Sequence, residues 1–260
     1  MEEVAVTDWE PARYAAYRDL RLRPALDLLA QVPDLPRGEI VDLGCGDGAV
    51  GPALLSRYPA RSLVGVDSSD AMLANAALRR CYERLDLADI VDWQPDTPPA
   101  LIYANAALNW VPDHTTLIPR LAAQLAPGGV LAVQMPRQGG ARSHRMLREV
   151  AETLFPDRIK VAPSPVMAAG DYARLLLPLG RVNAWSTDYL HMLDPVAEGH
   201  PVRAFTESSA MRPYVKDLTP DERRAFVAAY DEILTFAYRP LPDGRVLFPF
   251  TRIFFVLERS

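Results

Sequence analysis

Glu39-Ile40-Val41-Asp42-Leu43-Gly44-Cys45-Gly46-Asp47-Gly48 decides the fold, and Asp67 answers it nineteen residues after Gly48. An apolar run that ends in an acid and then three glycines at alternate positions has the pattern of a buried strand turning sharply into a helix. Glycine admits backbone angles closed to other residues and lets a ligand approach the main chain with no Cβ in the way. The second half of the signal is Leu63-Val64-Gly65-Val66-Asp67, an apolar strand ending in an acid placed where a ribose hydroxyl pair would lie. Together the two segments outline half of a Rossmann-like sheet with a nucleotide-like ligand at its first crossover.

Glycine spacing and charge narrow the ligand. Dinucleotide sites read G-x-G-x-x-G, with a helix dipole aimed at a pyrophosphate; here the spacing is G-x-G-x-G. Asp42 before the turn and Asp47 inside it repel a pyrophosphate but suit a positively charged sulfonium or amino-acid ammonium. S-adenosyl-L-methionine is therefore favoured over NAD, and an NAD-dependent oxidoreductase is the rival from another reaction class.

Outward from the glycine turn, strands alternate with helices. The pattern predicts strands over 40–43, 62–67, just before Asp89, 100–105 and 130–135, with helices over 49–58, 70–80, 115–125 and 142–154. That rhythm belongs to a mainly parallel α/β sheet. An N-terminal helix is expected over 9–29. Ser69 or Asp70 can cap the helix that follows Asp67, and Pro127-Gly128-Gly129 ends one element and launches the next. Beyond 155 the rhythm breaks. The proline-rich 156–179 is read as a lid crossing the carboxyl edge of the sheet. Two long β segments, 181–192 and 245–257, flank a helical insertion that includes 219–238. The expected organisation is one domain over 1–260: a helical lid over 1–30, a cofactor-binding core over 39–155, a lid over 156–180 and the insertion over 193–240.

Composition bounds the partners. Of 260 residues, 49% are hydrophobic and 23% charged, close to the soluble average. A net charge of −5 argues against broad nucleic-acid binding, which needs clustered Lys and Arg. Cys45 and Cys81 lack metal-ligand spacing and are too few for a disulfide scaffold, so no metal is expected. The opening Met-Glu-Glu has no leader pattern and no run reaches the ~18 apolar residues that span a bilayer, so a cytoplasmic protein without membrane or obligate protein partner is expected.

Asp42-Leu43-Gly44-Cys45-Gly46, Asp67 and the strand Gly129–Met135 resemble class I S-adenosylmethionine-dependent methyltransferases. Narrower blocks resemble the trans-aconitate 2-methyltransferase family: Asp8-Trp9-Glu10-Pro11, Arg23-Pro24-Ala25, Tyr103-Ala104-Asn105-Ala106, Trp110-Val111-Pro112-Asp113-His114, Gly129 to Pro136 and Met211-Arg212-Pro213-Tyr214. The chain departs from that family at Asn109, where glutamine is expected, and over 137–165, which is shortened and rewritten. The resemblance implies a seven-stranded sheet with one antiparallel edge strand, and methylation of one carboxylate of a small polycarboxylic acid. The alternative is methylation of another small acceptor, a carrier-bound malonyl group or a natural-product carboxylate or hydroxyl.

Site residues follow. Asp67 accepts from the ribose hydroxyls, with Ser68 as a lesser candidate. Gly44, Cys45 and Gly46 present backbone to the methionine moiety, and Asp42 orients its ammonium. The resemblance places Asp89 at the adenine amino group and Ile90 on the ring, with Met72 over the other face. Asn105, Ala106 and Trp110 are expected near the sulfonium, where an aromatic face stabilises a cation by ~0.5 to 2 kcal/mol, and Trp9 closes the site. An acceptor that is already an ionised carboxylate needs no general base, so no catalytic side chain is expected. Carboxylates that are not methylated call for cationic or hydrogen-bonding anchors, and Arg23, His114, Arg137, His191, Arg212 and Tyr214 are the candidates. His144 and His200 are read as surface residues.

Overall fold

The computed structural model describes residues 18–207 and 209–260, with side chains from residue 22 onward. The expected helix residues before Arg18, and Trp9 with them, lie outside the described residues. Two compact units emerge: a sheet unit of Leu22–Arg137, Ser164–Tyr189 and Thr251–Ser260, and a helical unit that includes Gln138–Pro163 and Leu190–Phe250.

The described chain opens with α1 (Arg18–Ala30), in the sheet unit from Leu22 onward, and alternates β1 (Ile40–Leu43), α2 (Gly51–Arg57), β2 (Leu63–Asp67), α3 (Asp70–Ala77), β3 (Arg84–Leu87), β4 (Leu101–Asn105), α4 (His114–Gln124) and β5 (Val130–Pro136). The chain then supplies α5 (Arg142–Leu154) to the helical unit and returns with α6 (Ala169–Leu176) and β6 (Gly180–Leu193). After α7 (Pro201–Glu207), α8 (Arg212–Val215) and α9 (Pro220–Ala237) it ends on β7 (Val246–Arg259). The sheet has seven strands in the order β3-β2-β1-β4-β5-β7-β6. Strands β1 to β5 pair in parallel, and β7 runs antiparallel to β5. The antiparallel strand is thus second from the edge, and β6 is the edge itself.

Why these segments become central strands is visible in their burial. All of β1, and all but the last residue of β4 and β5, are buried, as expected of parallel strands covered on both faces. Edge strand β6 instead alternates over most of its length. One sheet face packs Leu117, Leu121, Tyr172 and Leu176 of α4 and α6 against Val41, Ile102 and Val133. The other packs Ala25, Leu28 and Leu54 of α1 and α2 against Ile40, Tyr103 and Phe254. The expected lid over 156–180 is therefore different in part: Tyr172 and Leu176, at i,i+4 spacing, make α6 a core helix. The prolines around it hid an eight-residue amphipathic segment.

The helical unit has its own core, in which Leu147, Phe205, Phe226, Tyr230 and Phe248 are buried together. Thr219 and Glu222 form a reciprocal capping box at the start of α9, with Pro220 in the first turn. Glu222 also takes both guanidinium nitrogens of Arg158 at 2.7 Å, and these contacts hold its carboxyl down at about 2. Among the described residues, no helix is long and apolar enough to cross a membrane and no cluster of potential ligands is placed to hold a metal.

Candidate cofactor and acceptor site

The glycine turn folds back onto the end of β2. Gly44 and Cys45 donate their amides to the Val66 carbonyl at 2.7 and 2.9 Å. Gly46 donates to Asp67 Oδ2 at 2.8 Å, while Asp67 Oδ1 accepts from the Ser69 amide at 2.9 Å. Each carboxylate oxygen has two lone pairs, so acceptor capacity remains for a pair of hydroxyls. Gly44 and Gly46 take φ of +75° and +56°, a conformation that costs an L residue about 1–2 kcal/mol.

Their surroundings differ. A Cβ at Gly44 would lie 2.3 Å from Ala107 Cβ and 3.4 Å from Ile90 Cδ1, whereas a Cβ at Gly46 would meet nothing within 4 Å. Gly44 is a packing contact that draws the β4 end and Ile90 to the turn. Gly46 faces open space. That space, beside a half-buried carboxylate with spare lone pairs, fits an adenosyl group approaching the backbone.

Further along the carboxyl edge, Asn105 ends β4 with its buried Oδ1 lacking a donor. The next residue, Ala106, is held at φ +54° although it carries a Cβ. Backbone strain of this kind clusters where a site over-determines its chain. Trp110 is 57% exposed. With the Asn109 amide turned so that both its ends are answered, its oxygen accepts from the Trp110 indole at 3.1 Å and its nitrogen donates to the Ala106 carbonyl at 3.0 Å. Asn109, noted only as a departure, thus braces this loop.

Asp89 is exposed, and its Oδ1 accepts from the Val91 amide at 2.8 Å, which leaves its other oxygen for a donor. It lines an open cleft of about 510 Å³ with Ala88, Asp92 and Trp93. Ile90 packs on the core beside it. Met72 is half-buried at the start of α3, where Ser69 Oγ accepts its amide at 3.3 Å, and Ser68 is exposed.

Neither Asp42 nor Asp47 presents the bare charge expected of it. Asp47 is ion-paired with Arg79 at 3.0 Å. Asp42 is buried, its Oδ2 accepting from the Tyr82 hydroxyl at 2.7 Å. Burial, with the nearby Asp67 charge adding to it, raises the Asp42 carboxyl to about 7, against the lowering effect of Tyr82. Asp42 therefore supports the turn from beneath, and Asp67 is the carboxylate that faces the site. Cys45 likewise points its side chain inward, against Leu73 and Ala76, and burial pushes its thiol up. Tyr82 was missed by the sequence reading. Its trace was the glycines around it: a Cβ at Gly51 or Gly65 would lie 2.7 or 3.0 Å from its ring.

The acceptor candidates fare unevenly. His114 is buried with both ring nitrogens engaged, Nδ1 with the Tyr172 hydroxyl at 2.5 Å and Nε2 with the Leu108 carbonyl at 2.9 Å. It clamps the loop after β4 and has no nitrogen left for a substrate. Asp113 caps α4 through Thr116, so this family block is a structural device. Arg23 is exposed on α1, stacked over the Tyr189 ring at 5.5 Å, and Arg137 is exposed just past β5. His191, Arg212 and Tyr214 belong to the helical unit. His191 is buried beside Phe205 and Phe250, and Tyr214 is buried against Phe226.

His144 and His200 are not surface residues. His200 is buried, its Nε2 paired with the Tyr238 carbonyl at 2.9 Å and its Nδ1 accepting from the Val202 amide at 3.2 Å. His144 is half-buried beside Ser143, and desolvation, then Arg148, lowers it to about 4. Local sequence carries little signal for the burial of His200, whose carbonyl partner Tyr238 lies 38 residues on.

Residues 14–202 match the methyltransferase-domain family. The chain belongs to that family. Its relatives include the trans-aconitate 2-methyltransferase of Variovorax paradoxus, 42% identical over 97% of this chain and 99% of that one. The enzyme of the same name from Methylobacterium nodulans is 40% identical over 98% and 100%. Among solved structures, the YcgJ protein of Bacillus subtilis superposes with a TM-score of 0.57 at 12% identity, covering 92% of this chain and 99% of that one. Phosphoethanolamine N-methyltransferase 2 of Haemonchus contortus, in complex with S-adenosyl-L-methionine, gives 0.53 at 14%, covering 92% and 53%. At such identities the likeness extends to the fold alone. This methyltransferase uses S-adenosyl-L-methionine as its cofactor, in keeping with the glycine turn and Asp67.

Proposed function

We propose that this methyltransferase esterifies one carboxylate of trans-aconitate or a closely similar polycarboxylic acid. The observation that carries the reading is the 42% identity, over nearly the whole of both chains, to a trans-aconitate 2-methyltransferase. The cradle built by Gly44, Gly46 and Asp67 supports the donor half.

S-adenosyl-L-methionine, when bound, supplies an already activated methyl group on a sulfonium. The chain's own residues then bind and orient. Asp67 accepts from the ribose hydroxyls, Gly44 and Gly46 present main chain, and Asp89 accepts from the adenine amino group while Ile90 and Met72 pack on the ring. Asn105 offers an unanswered oxygen to the ammonium, and Trp110 sets an aromatic face near the cation. Acceptor carboxylates with pKa near 4 are ionised at neutral pH, so catalysis is alignment with water excluded. A cytoplasmic location remains part of the proposal.

Methyl transfer from labelled donor to a panel of di- and tricarboxylates tests the reading, with trans-aconitate expected to turn over best. Asp67→Asn keeps one acceptor oxygen and removes the charge, so S-adenosylhomocysteine should bind roughly 10- to 150-fold more weakly, the loss of charge-assisted hydrogen bonds worth ~1.5–3 kcal/mol. A wild-type enzyme inert toward every carboxylate would sink the substrate claim, and undiminished binding by Asp67→Asn the donor claim.

A further inference from the structure

Asn105 and Gln134 are register partners at the carboxyl end of β4 and β5, so their side chains stand side by side on one sheet face. The same face carries Arg252 of β7, two residues before Phe254, the partner of Gln134. Arg252 Nη1 donates to Gln134 Oε1 at 3.3 Å. This contact fixes the amide: oxygen toward the guanidinium, NH2 away from it. Gln134 is 0% exposed and Arg252 3%. Yet Gln134 Nε2 has no acceptor, as Asn105 Oδ1 has no donor. Native interiors leave few such groups unanswered, because each forfeits its hydration for nothing in return. The strained Ala106 is tied to the same place, its amide donating to the Gln134 carbonyl at 2.9 Å.

We propose that Gln134, oriented and polarised by Arg252, is the receptor for a carboxylate of the acceptor acid that is not being methylated. A neutral amide donor backed by a fixed cation suits an anion that must bind and leave. Tyr189, near enough to feel the charges of both Arg252 and Arg23, extends the same neighbourhood and donates its hydroxyl to Asp27 at 2.6 Å. The complementary orphan, Asn105 Oδ1, suits a donor such as an ammonium, so the two unanswered atoms divide the edge between acceptor and cofactor. The inference rests on the polycarboxylate reading above.

Two variants test it, each checked first by thermal unfolding. Gln134→Met removes the donor at similar volume, and Gln134→Glu places an anion there that Arg252 can hold. Calorimetry with trans-aconitate in the presence of S-adenosylhomocysteine should show at least tenfold weaker acid binding for Gln134→Met and a greater loss for Gln134→Glu. The Kd for S-adenosylhomocysteine should stay within twofold, and KM for the acid should rise more than kcat falls. Acid affinity unchanged within twofold overturns the inference, as does a loss shared equally with S-adenosylhomocysteine, which would make Gln134 part of the cofactor cradle. A wild-type enzyme that binds and methylates no polycarboxylate sinks the underlying reading and this one together. An active wild type with unaffected variants sinks only this one.

Discussion

Replacing Gly46 and Gly44 singly by alanine separates cofactor cradle from packing, because the two glycines share a backbone conformation and differ in what lies above them. Both have φ between +56° and +75°, so both substitutions carry roughly 1–2 kcal/mol of left-handed strain. At Gly46 nothing else is added, since the new methyl meets open space. At Gly44 the methyl falls 2.3 Å from Ala107 Cβ, and relief of such overpacking costs a further ~1–3 kcal/mol. With ~2–4 °C of Tm per kcal/mol at this size, Gly46→Ala should melt roughly 2–8 °C below wild type and Gly44→Ala roughly 4–20 °C below. Affinity should behave in the opposite sense. Gly46→Ala places its methyl where the ligand approaches, and should weaken S-adenosylhomocysteine binding by about 5- to 150-fold, the same ~1–3 kcal/mol of overcrowding now charged to the complex. The assays are scanning fluorimetry of ligand-free protein and calorimetry with S-adenosylhomocysteine. The double variant Gly44→Ala/Ala107→Gly should recover most of the stability difference, a coupling expected only of neighbours. If Gly46→Ala binds S-adenosylhomocysteine within twofold of wild type, the space above that residue is not the cofactor's. If Gly44→Ala is no less stable than Gly46→Ala, the contact with Ala107 is misread.

Two further outcomes follow from the polar interior. The folded-state carboxyl of Asp42 is raised to about 7, above its value in an unfolded chain, so its contribution to stability is fully present below about pH 4 and is lost as pH rises through 7. Asp42→Asn, a mimic of the protonated acid, should therefore be more stable than wild type at pH 8, by on the order of 4 kcal/mol, with the gap closing toward pH 4; a gap independent of pH in urea titrations would refute the assignment. Tyr172→Phe leaves His114 Nδ1 and the Met167 amide without the hydroxyl that joins them, and should cost ~1–3 kcal/mol of stability while leaving the KM for a carboxylate acceptor unmoved. A selective rise in that KM without a Tm shift would restore His114 to the acceptor site.

Much of the fold was legible because it is written in local pattern. Apolar runs of four to seven residues and glycine punctuation place β1, β2, β4 and β5 within a residue of where they form, and the cap at Ser69 places the start of α3, which ends three residues short of the expected Arg80. Expected and observed bounds of α5 coincide at Arg142–Leu154. The glycine turn and its contact with Asp67 were legible for the same reason, since they use consecutive backbone and the end of a neighbouring strand. The helix α6 was not, because a short amphipathic segment among prolines has too few turns to show its period.

Sequence alone determined the sheet, the glycine turn at its first crossover and the acid that ends the neighbouring strand, because each rests on residues close together in the chain and on steric rules that act locally. Tertiary structure decided which polar groups are free to act. His114 loses its nitrogens to Leu108 and Tyr172, 6 and 58 residues away, His200 one of its own to Tyr238, 38 residues on, and Asp42 becomes a buried support through Tyr82, 40 residues on. Gln134 acquires its orientation from Arg252, 118 residues away. Whether a buried polar atom is answered depends on every strand and helix packed around it, and that sum exists only once the chain has folded.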